Sequence, residues 1–301
     1  METLSAAKRL ELDPTLISEV RRLRLRSRRR VNADLLGQYR AAFRGSGLIF
    51  TDIREYTPGD DTKHIHWKLT ARSATGNAFV KSYEEDRQLN VLLAVDASSS
   101  TDFGAGRSKH ERALEFCALV ALLAKNSKDS VGMLRFSGEV EEFYPPSRKN
   151  SQFDKIFSRL LSLTPLTPST DLRAALSFLN ERQRRPSIIF IVSDFLTAPF
   201  EDQLRLLAAK HDVVCALLEH DFDRSLPSCG IVEFIDAESG TRVLVDTSHK
   251  PSLQRLALLS EQRRELLTKT CRRAGAELML LSDNPVRPLA ELMERRKARM
   301  K

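Results

Sequence analysis

The chain has 301 residues, 42% of them apolar, with 48 Lys/Arg against 40 Asp/Glu for a formal net charge of +8. That length suits one large domain, or a medium one with a smaller companion. No apolar run reaches the roughly 18 residues of a membrane helix, and "METLSAAKRLELDPTL" lacks the apolar region of a signal peptide, so a soluble, cytoplasmic protein is expected.

The charge is uneven. Residues 1–50 hold 11 Lys/Arg against 5 Asp/Glu, and residues 286–301 hold 6 against 2, net +6 and +4, which leaves the middle at −2. A main domain without excess basic charge is a poor nucleic-acid binder, so nucleic acid is an unlikely partner there. Cys117, Cys215, Cys229 and Cys271 are scattered without CxxC spacing and read as reduced thiols.

In chain order, Leu16–Phe43 reads as one helix with a basic run, Arg21–Arg30, that contains no aromatic residue for base stacking. That run is either a solvated face or a contact for an anionic partner. Gly45-Ser46-Gly47 breaks the helix. "TPGDD" (Thr57–Asp61) is a turn, because proline presets φ and glycine tolerates positive φ. Its flanks alternate as strands do, giving a small β-rich segment.

From Leu89 the pattern changes. "VLLAV", "SIIFIVSD" and "DVVCALLEH" are apolar runs of strands buried on both faces. Helical periods separate them: "ERALEFCALVALLAKN", "SQFDKIFSRLLSL", "DLRAALSFLNERQ" and "FEDQLRLLAAKH". "SVGMLRFSG" and "EVEEFYP" are further strands. "GIVEFIDAESGTRVLVDTS" is a hairpin turning at Glu238-Ser239-Gly240. A long helix follows, with Pro251 near its start and Gly275 past its end, then the strand "AELMLLS" and a basic helical tail from Pro288.

Alternating strands and helices predict a doubly wound, mostly parallel α/β sheet flanked by helices. The expected division is 1–86 for the basic helix and β-rich segment, 87–285 for the sheet domain with a hairpin insertion at about 230–247, and 286–301 for the tail. Neither GxGxxG nor GxxxxGK[ST] occurs, so the usual nucleotide sites of this architecture are not supported.

Ligands of open α/β sheets sit outside the carboxyl ends of the strands. There "VLLAV" runs into Asp96, Ser98 and Ser100, "PSTDL" brings Thr170, and "IIFIVSD" ends in Asp194. Two carboxylates and three hydroxyls are hard oxygen donors, suited to Mg²⁺, Mn²⁺ or Ca²⁺ and not zinc, with Mg²⁺ or Mn²⁺ expected. Strand-end serines also cap helices, so the same residues have a purely structural reading.

This constellation resembles the metal-ion-dependent adhesion site of von Willebrand factor type A domains. The resemblance implies that Ser98, Ser100 and Thr170 touch the cation directly and that Asp96 and Asp194 often act through water. "FTDIREYTPGDDTKHIHWKLTAR" resembles the signature of the bacterial domain-of-unknown-function family fifty-eight, on Arg54, Tyr56, Gly59, Asp60, Trp67, Lys68, Ala71 and Arg72. His66 stands where that family often has another polar residue.

The resemblance spans roughly Gly45 to Ser282. It implies a type A-like domain and genes beside MoxR-type AAA+ ATPases. It further implies a chaperone-like or assembly role, and it establishes no enzymatic activity, so a non-catalytic module is expected. A cation held by these donors keeps positions for water, one of which could take a carboxylate from the ATPase.

Arg54, Asp60, Asp61, Trp67 and Arg72 are expected to dock the β-rich segment onto the sheet domain, with Trp67 buried as the anchor; a partner surface is the alternative. His64 and His66, two apart, could bind a transition metal. Two other functions stay open: a metal-dependent hydrolase or phosphotransferase with Asp96 as nucleophile, and nucleic-acid binding through the basic ends. For the first, the position two after Asp96 is a serine, and no general base is evident.

Overall fold

The computed structural model describes residues 27–43, 49–72, 77–84, 88–98, 108–161, 169–223, 226–235 and 241–299. The expected helix start at Leu16, the first part of the arginine run, the Gly45–Gly47 break and the Glu238–Gly240 turn lie outside them.

The centre is a six-stranded sheet. Its strands are β3 (Asn90–Asp96), β4 (Ser130–Phe136), β5 (Val140–Ser147), β6 (Ile188–Ser193), β7 (Asp212–Leu218) and β10 (Glu277–Leu281), in the order β10-β7-β6-β3-β4-β5. All neighbours are parallel except β4–β5. The expected α/β class is the one observed.

Alternation along the strands builds two cores. Val91, Leu93 and Val95 of β3 face one side, with Phe190 of β6. Leu92 and Ala94 face the other, with Ile189 and Ile191. The first face is covered by α1 (Ala33–Phe43), α2 (Lys109–Asn126), α3 (Asn150–Leu161) and α7 (Val286–Arg299). The second is covered by α4 (Leu172–Arg182), α5 (Glu201–Ala208) and α6 (Lys250–Ala274). Because α2 lies between the sheet and other helices, it is apolar nearly all round: Phe116, Leu119, Val120 and Leu123 are all fully buried.

One expectation is corrected here. The single N-terminal helix is interrupted at Val31-Asn32, because the Asn32 side chain accepts from Leu35 N at 2.8 Å and starts a new helix. The basic ends are not appendages. Tyr39 and Phe43 of α1 and Leu289, Leu292 and Met293 of α7 belong to the core of the first face. Their charges are also employed. Arg30 pairs with Glu115 at 2.7 Å, Arg296 makes two bonds to Asp212 at 2.5 and 2.7 Å, and Arg299 pairs with Glu277 at 2.8 Å. Arg296 also lies over the Phe43 ring, 4.7 Å from its centre.

The β5 edge shows why one glycine is needed. A Cβ on Gly132 would stand 2.6 Å from Tyr144 O and 2.8 Å from Pro146 N, where the β4–β5 register shifts. Two smaller antiparallel pairs complete the chain: β1 (Ile49–Glu55) with β2 (Phe79–Glu84), and β8 (Ile231–Ile235) with β9 (Arg242–Asp246). Gly275 ends α6 in the left-handed region at φ 81°, as expected.

Candidate metal and partner site

From β3 the chain moves one way across the sheet to β4. From β6 it moves the other way, to β7 and β10. The carboxyl ends of β3 and β6 therefore flank the switch point, where an open α/β sheet has its natural crevice.

Asp96 ends β3 and is 1% exposed. Its Oδ1 accepts from Ser98 N at 2.9 Å and its Oδ2 from Ser193 Oγ at 2.6 Å. Ser193 Oγ in turn accepts from Phe195 N at 2.9 Å. Burial pushes the Asp96 carboxyl up to about 6, the Ser193 bond pulls it back, and the nearby Asp194 charge raises it. Two carboxylates are thus held together inside the protein.

Asp194 follows β6 and is fully buried. Its Oδ1 accepts from Leu196 N at 3.0 Å, whereas Oδ2 has no hydrogen-bond partner. Lys109 Nζ, at the start of α2, lies 3.5 Å from that Oδ2 and 3.0 Å from Asp223 Oδ2. Phe195 takes φ 55°, a left-handed conformation that is uncommon for a bulky residue, and it turns the chain sharply after Asp194. Arg263 of α6 donates to Asp194 O at 2.5 Å.

Thr170 is half-buried, and its carbonyl accepts from Thr197 Oγ1 at 3.1 Å, so the Thr170 loop lies against the loop that carries Asp194. Asp171 is the N-cap of α4, accepting from Arg173 N and Ala174 N. Ser98 is buried beside Asp96. Ser100 lies outside the described residues. Sequence reasoning missed Ser193, Lys109 and Asp223. Ser193 was visible as the polar residue before Asp194, but nothing in the sequence marks Lys109 or Asp223 as reaching the same place.

Asp96, Ser98, Thr170 and Asp194 supply only hard oxygen donors. Two buried carboxylates lie together, and the neighbouring Lys109 is shared between Asp194 and Asp223. Among the described residues no group of three or more His, Cys, Asp or Glu is placed to hold a metal ion.

The signature segment is built differently. Arg54 donates to both oxygens of Asp60, at 2.8 and 2.6 Å, and to Thr57 Oγ1 at 2.9 Å. Thr57 N closes the turn onto Asp60 Oδ2 at 2.9 Å, and Gly59 has φ 113°. Tyr56 N donates to Ala78 O at 2.8 Å. His66 caps the helical turn Trp67–Thr70 through Nδ1, which accepts from Leu69 N at 3.1 Å. That nitrogen is therefore committed to the backbone and not to the transition metal considered for His64 and His66.

The polar network expected around Arg54 and Asp60 is present, but it ties the loop to itself. Trp67 is 69% exposed, and Lys68 and Arg72 are exposed beside it. The expectation of a buried Trp67 anchor is therefore corrected. The helical turn is too short to have a buried side, and its aromatic faces outward.

A doubly wound α/β sheet with paired carboxylates at its switch point defines the class. The chain belongs to the DUF58 family, described as a protein of unknown function, which matches residues 52–266. An uncharacterized protein of Mycobacterium tuberculosis is 31% identical over 275 residues, covering 89% of this chain and 85% of that protein. Among solved structures, an aerotolerance-related membrane protein from Bacteroides fragilis, carrying multiple mutations to serines, is similar with a TM-score of 0.47 at 16% identity, over 70% of this chain and 100% of that one. BatB from Bacteroides thetaiotaomicron is similar with a TM-score of 0.44 at 15% identity, over 70% of this chain and 99% of that one. Among the described residues no helix is long and apolar enough to cross a membrane.

Proposed function

We propose that this chain is a non-catalytic protein-binding module whose contact depends on a divalent cation at the ends of β3 and β6. The observation that supports the reading is the buried Asp96–Asp194 pair, whose one neighbouring ammonium, Lys109, is shared with Asp223. Two buried carboxylates carry more charge than one shared ammonium offsets, and a cation relieves the excess. Asp96, Ser98, Ser100, Thr170 and Asp194 would hold Mg²⁺ or Mn²⁺, and the bound ion would offer an open position to a partner's carboxylate. A MoxR-type AAA+ ATPase is the partner that the family resemblance implies, in chaperone-like or assembly work in the cytoplasm. Exposed Trp67, Lys68 and Arg72 add a second surface for the same partner.

The hydrolase alternative is less well supported. Both oxygens of Asp96 accept hydrogen bonds, and the residue is buried, which ill suits a nucleophile. Nucleic-acid binding through the ends is weakened by the ion pairs that Arg30, Arg296 and Arg299 already make.

The test is co-purification with the ATPase at about 0.15 M salt, where the Debye length is about 8 Å and long-range attraction between exposed charges is damped. Association is expected in Mg²⁺, with loss in EDTA and weakening by Ser98→Ala or Thr170→Ala without loss of fold. A complex that survives EDTA and both substitutions moves the contact to the Arg54–Arg72 surface.

A further inference from the structure

We infer that Lys109 is a tethered cation that stands in for the divalent ion when the site is empty, and that it must transfer fully to Asp223 for the ion to bind. This deepens the cation-dependent reading and rests on it.

Lys109 is only 3% exposed. A lysine buried to that degree is held by its charge partners. Its two partners are unequal. Asp223 Oδ2 is at 3.0 Å, whereas Asp194 Oδ2 is at 3.5 Å. The ammonium therefore offsets the charge of Asp194 from the longer distance and has its closer contact with Asp223.

Its surroundings make the transfer short. Ser108 caps α2 by accepting from Glu111 N at 3.1 Å, so the Lys109 backbone is fixed and only the side chain needs to shift. Asp223 is fixed too, because its Oδ2 accepts from His220 N at 2.9 Å. Asp223 also lines a cavity of about 500 Å³ bounded by Phe222, Leu253, Leu256 and Arg263. Arg263 reaches back to Asp194 O. The state of Lys109 is thus felt at both the carboxylate pair and the wall of that cavity.

The electrostatics set the sign. A fixed positive charge a few ångströms from a carboxylate lowers that carboxylate's affinity for a divalent ion. Removing the charge must tighten ion binding and, without the ion, leave the carboxylate pair uncompensated. Removing Asp223 must do the reverse, since Lys109 then has only Asp194 to hold.

The experiment is calorimetric titration of the full chain with MgCl₂ and MnCl₂, alongside thermal melts in EDTA and in saturating cation. Wild type is compared with Lys109→Met and Asp223→Asn. Lys109→Met is expected to bind at least about tenfold more tightly, to melt lower than wild type in EDTA, and to gain more from the cation. Asp223→Asn is expected to bind more weakly than wild type while remaining folded by circular dichroism. The inference is overturned if Lys109→Met binds no tighter, if it melts like wild type in EDTA, if Asp223→Asn binds more tightly, or if no variant takes up either ion. An ATPase complex indifferent to EDTA, in a protein whose Lys109→Met form still gains ion affinity, would instead remove the partner reading and keep this one.

Discussion

The strand-end site and the Arg54–Arg72 loop are both dense in charged residues, yet they are opposite constructions. At the strand ends the sheet buries Asp96 and Asp194 side by side, with one buried ammonium, Lys109, shared between Asp194 and Asp223. In the loop, Asp60 has its arginine, its backbone donor and solvent. In the first region burial raises the Asp96 carboxyl and one ammonium serves more than one carboxylate. The second is self-sufficient and offers shape and an exposed aromatic. The same kinds of charged residue are costly where the fold buries them and cheap where it pairs them in water.

The contrast is sharpest in stability. Phe190 lies in β6, fully buried, with edge contacts to Phe43 and Phe116 at 6.1 and 5.6 Å between ring centres. Phe190→Ala is expected to cost about 3–5 kcal/mol in urea unfolding. Trp67→Ala, a truncation of a larger aromatic, is expected to change stability by no more than about 0.5 kcal/mol, since most of that side chain is already in water. Equal losses in the two variants would mean that the loop is docked after all and would erase the distinction.

Gly132→Ala probes the edge next to the site. The added methyl group meets backbone atoms of β5, which cannot swing aside as a side chain would. A loss of about 1–3 kcal/mol is expected, with the β4–β5 edge exchanging amide hydrogens faster than β3 and β6. Uniform loss of protection across the sheet would show that the edge and the centre open together.

How far the sequence carries this comparison depends on the range of each interaction. The strands were legible because each is an unbroken apolar run, and Asp96 and Asp194 because each terminates one. The helix restart at Asn32 was obscured by the arginines around it. Lys109 and Asp223 were not legible, since residues 109, 194 and 223 meet only through the order of strands in the sheet. Trp67 was misread for a related reason. A lone tryptophan in a polar segment is usually an anchor, and only the orientation of a four-residue helical turn decides otherwise. The packing of α7 against α1 was hidden beneath the charge of the tail, whose apolar residues are fewer but regularly spaced.

Trp67 also separates the two regions by function. Trp67→Ala and Arg72→Glu are expected to weaken the proposed ATPase complex in saturating Mg²⁺ while leaving the chain's own Mg²⁺ affinity unchanged, because this surface involves no ion, whereas Ser98→Ala is expected to lower both. Complex formation in saturating Mg²⁺ and calorimetric Mg²⁺ titration of the chain alone decide it. A Trp67→Ala chain that binds Mg²⁺ more weakly would tie the loop to the ion site.

The smallest expected effect tests the self-sufficiency of the loop. Hydrogen bonds from Arg54, and then from the Thr57 backbone, hold the Asp60 carboxyl down at about 2, against an ordinary value of about 3.9. A lowered carboxylate value in the folded protein means that the unfolded chain binds the proton more readily. The tie therefore stabilises the loop in full above about pH 4 and is lost as pH falls through about 2. Because the pair is open to solvent, the consequence is local order rather than global stability. Carboxyl carbon resonances should show Asp60 titrating with a midpoint near 2, and Arg54→Gln should move that midpoint up toward the ordinary value. A wild-type midpoint already near 4 would mean that Arg54 is not committed to Asp60 and is free, like Trp67, for a partner.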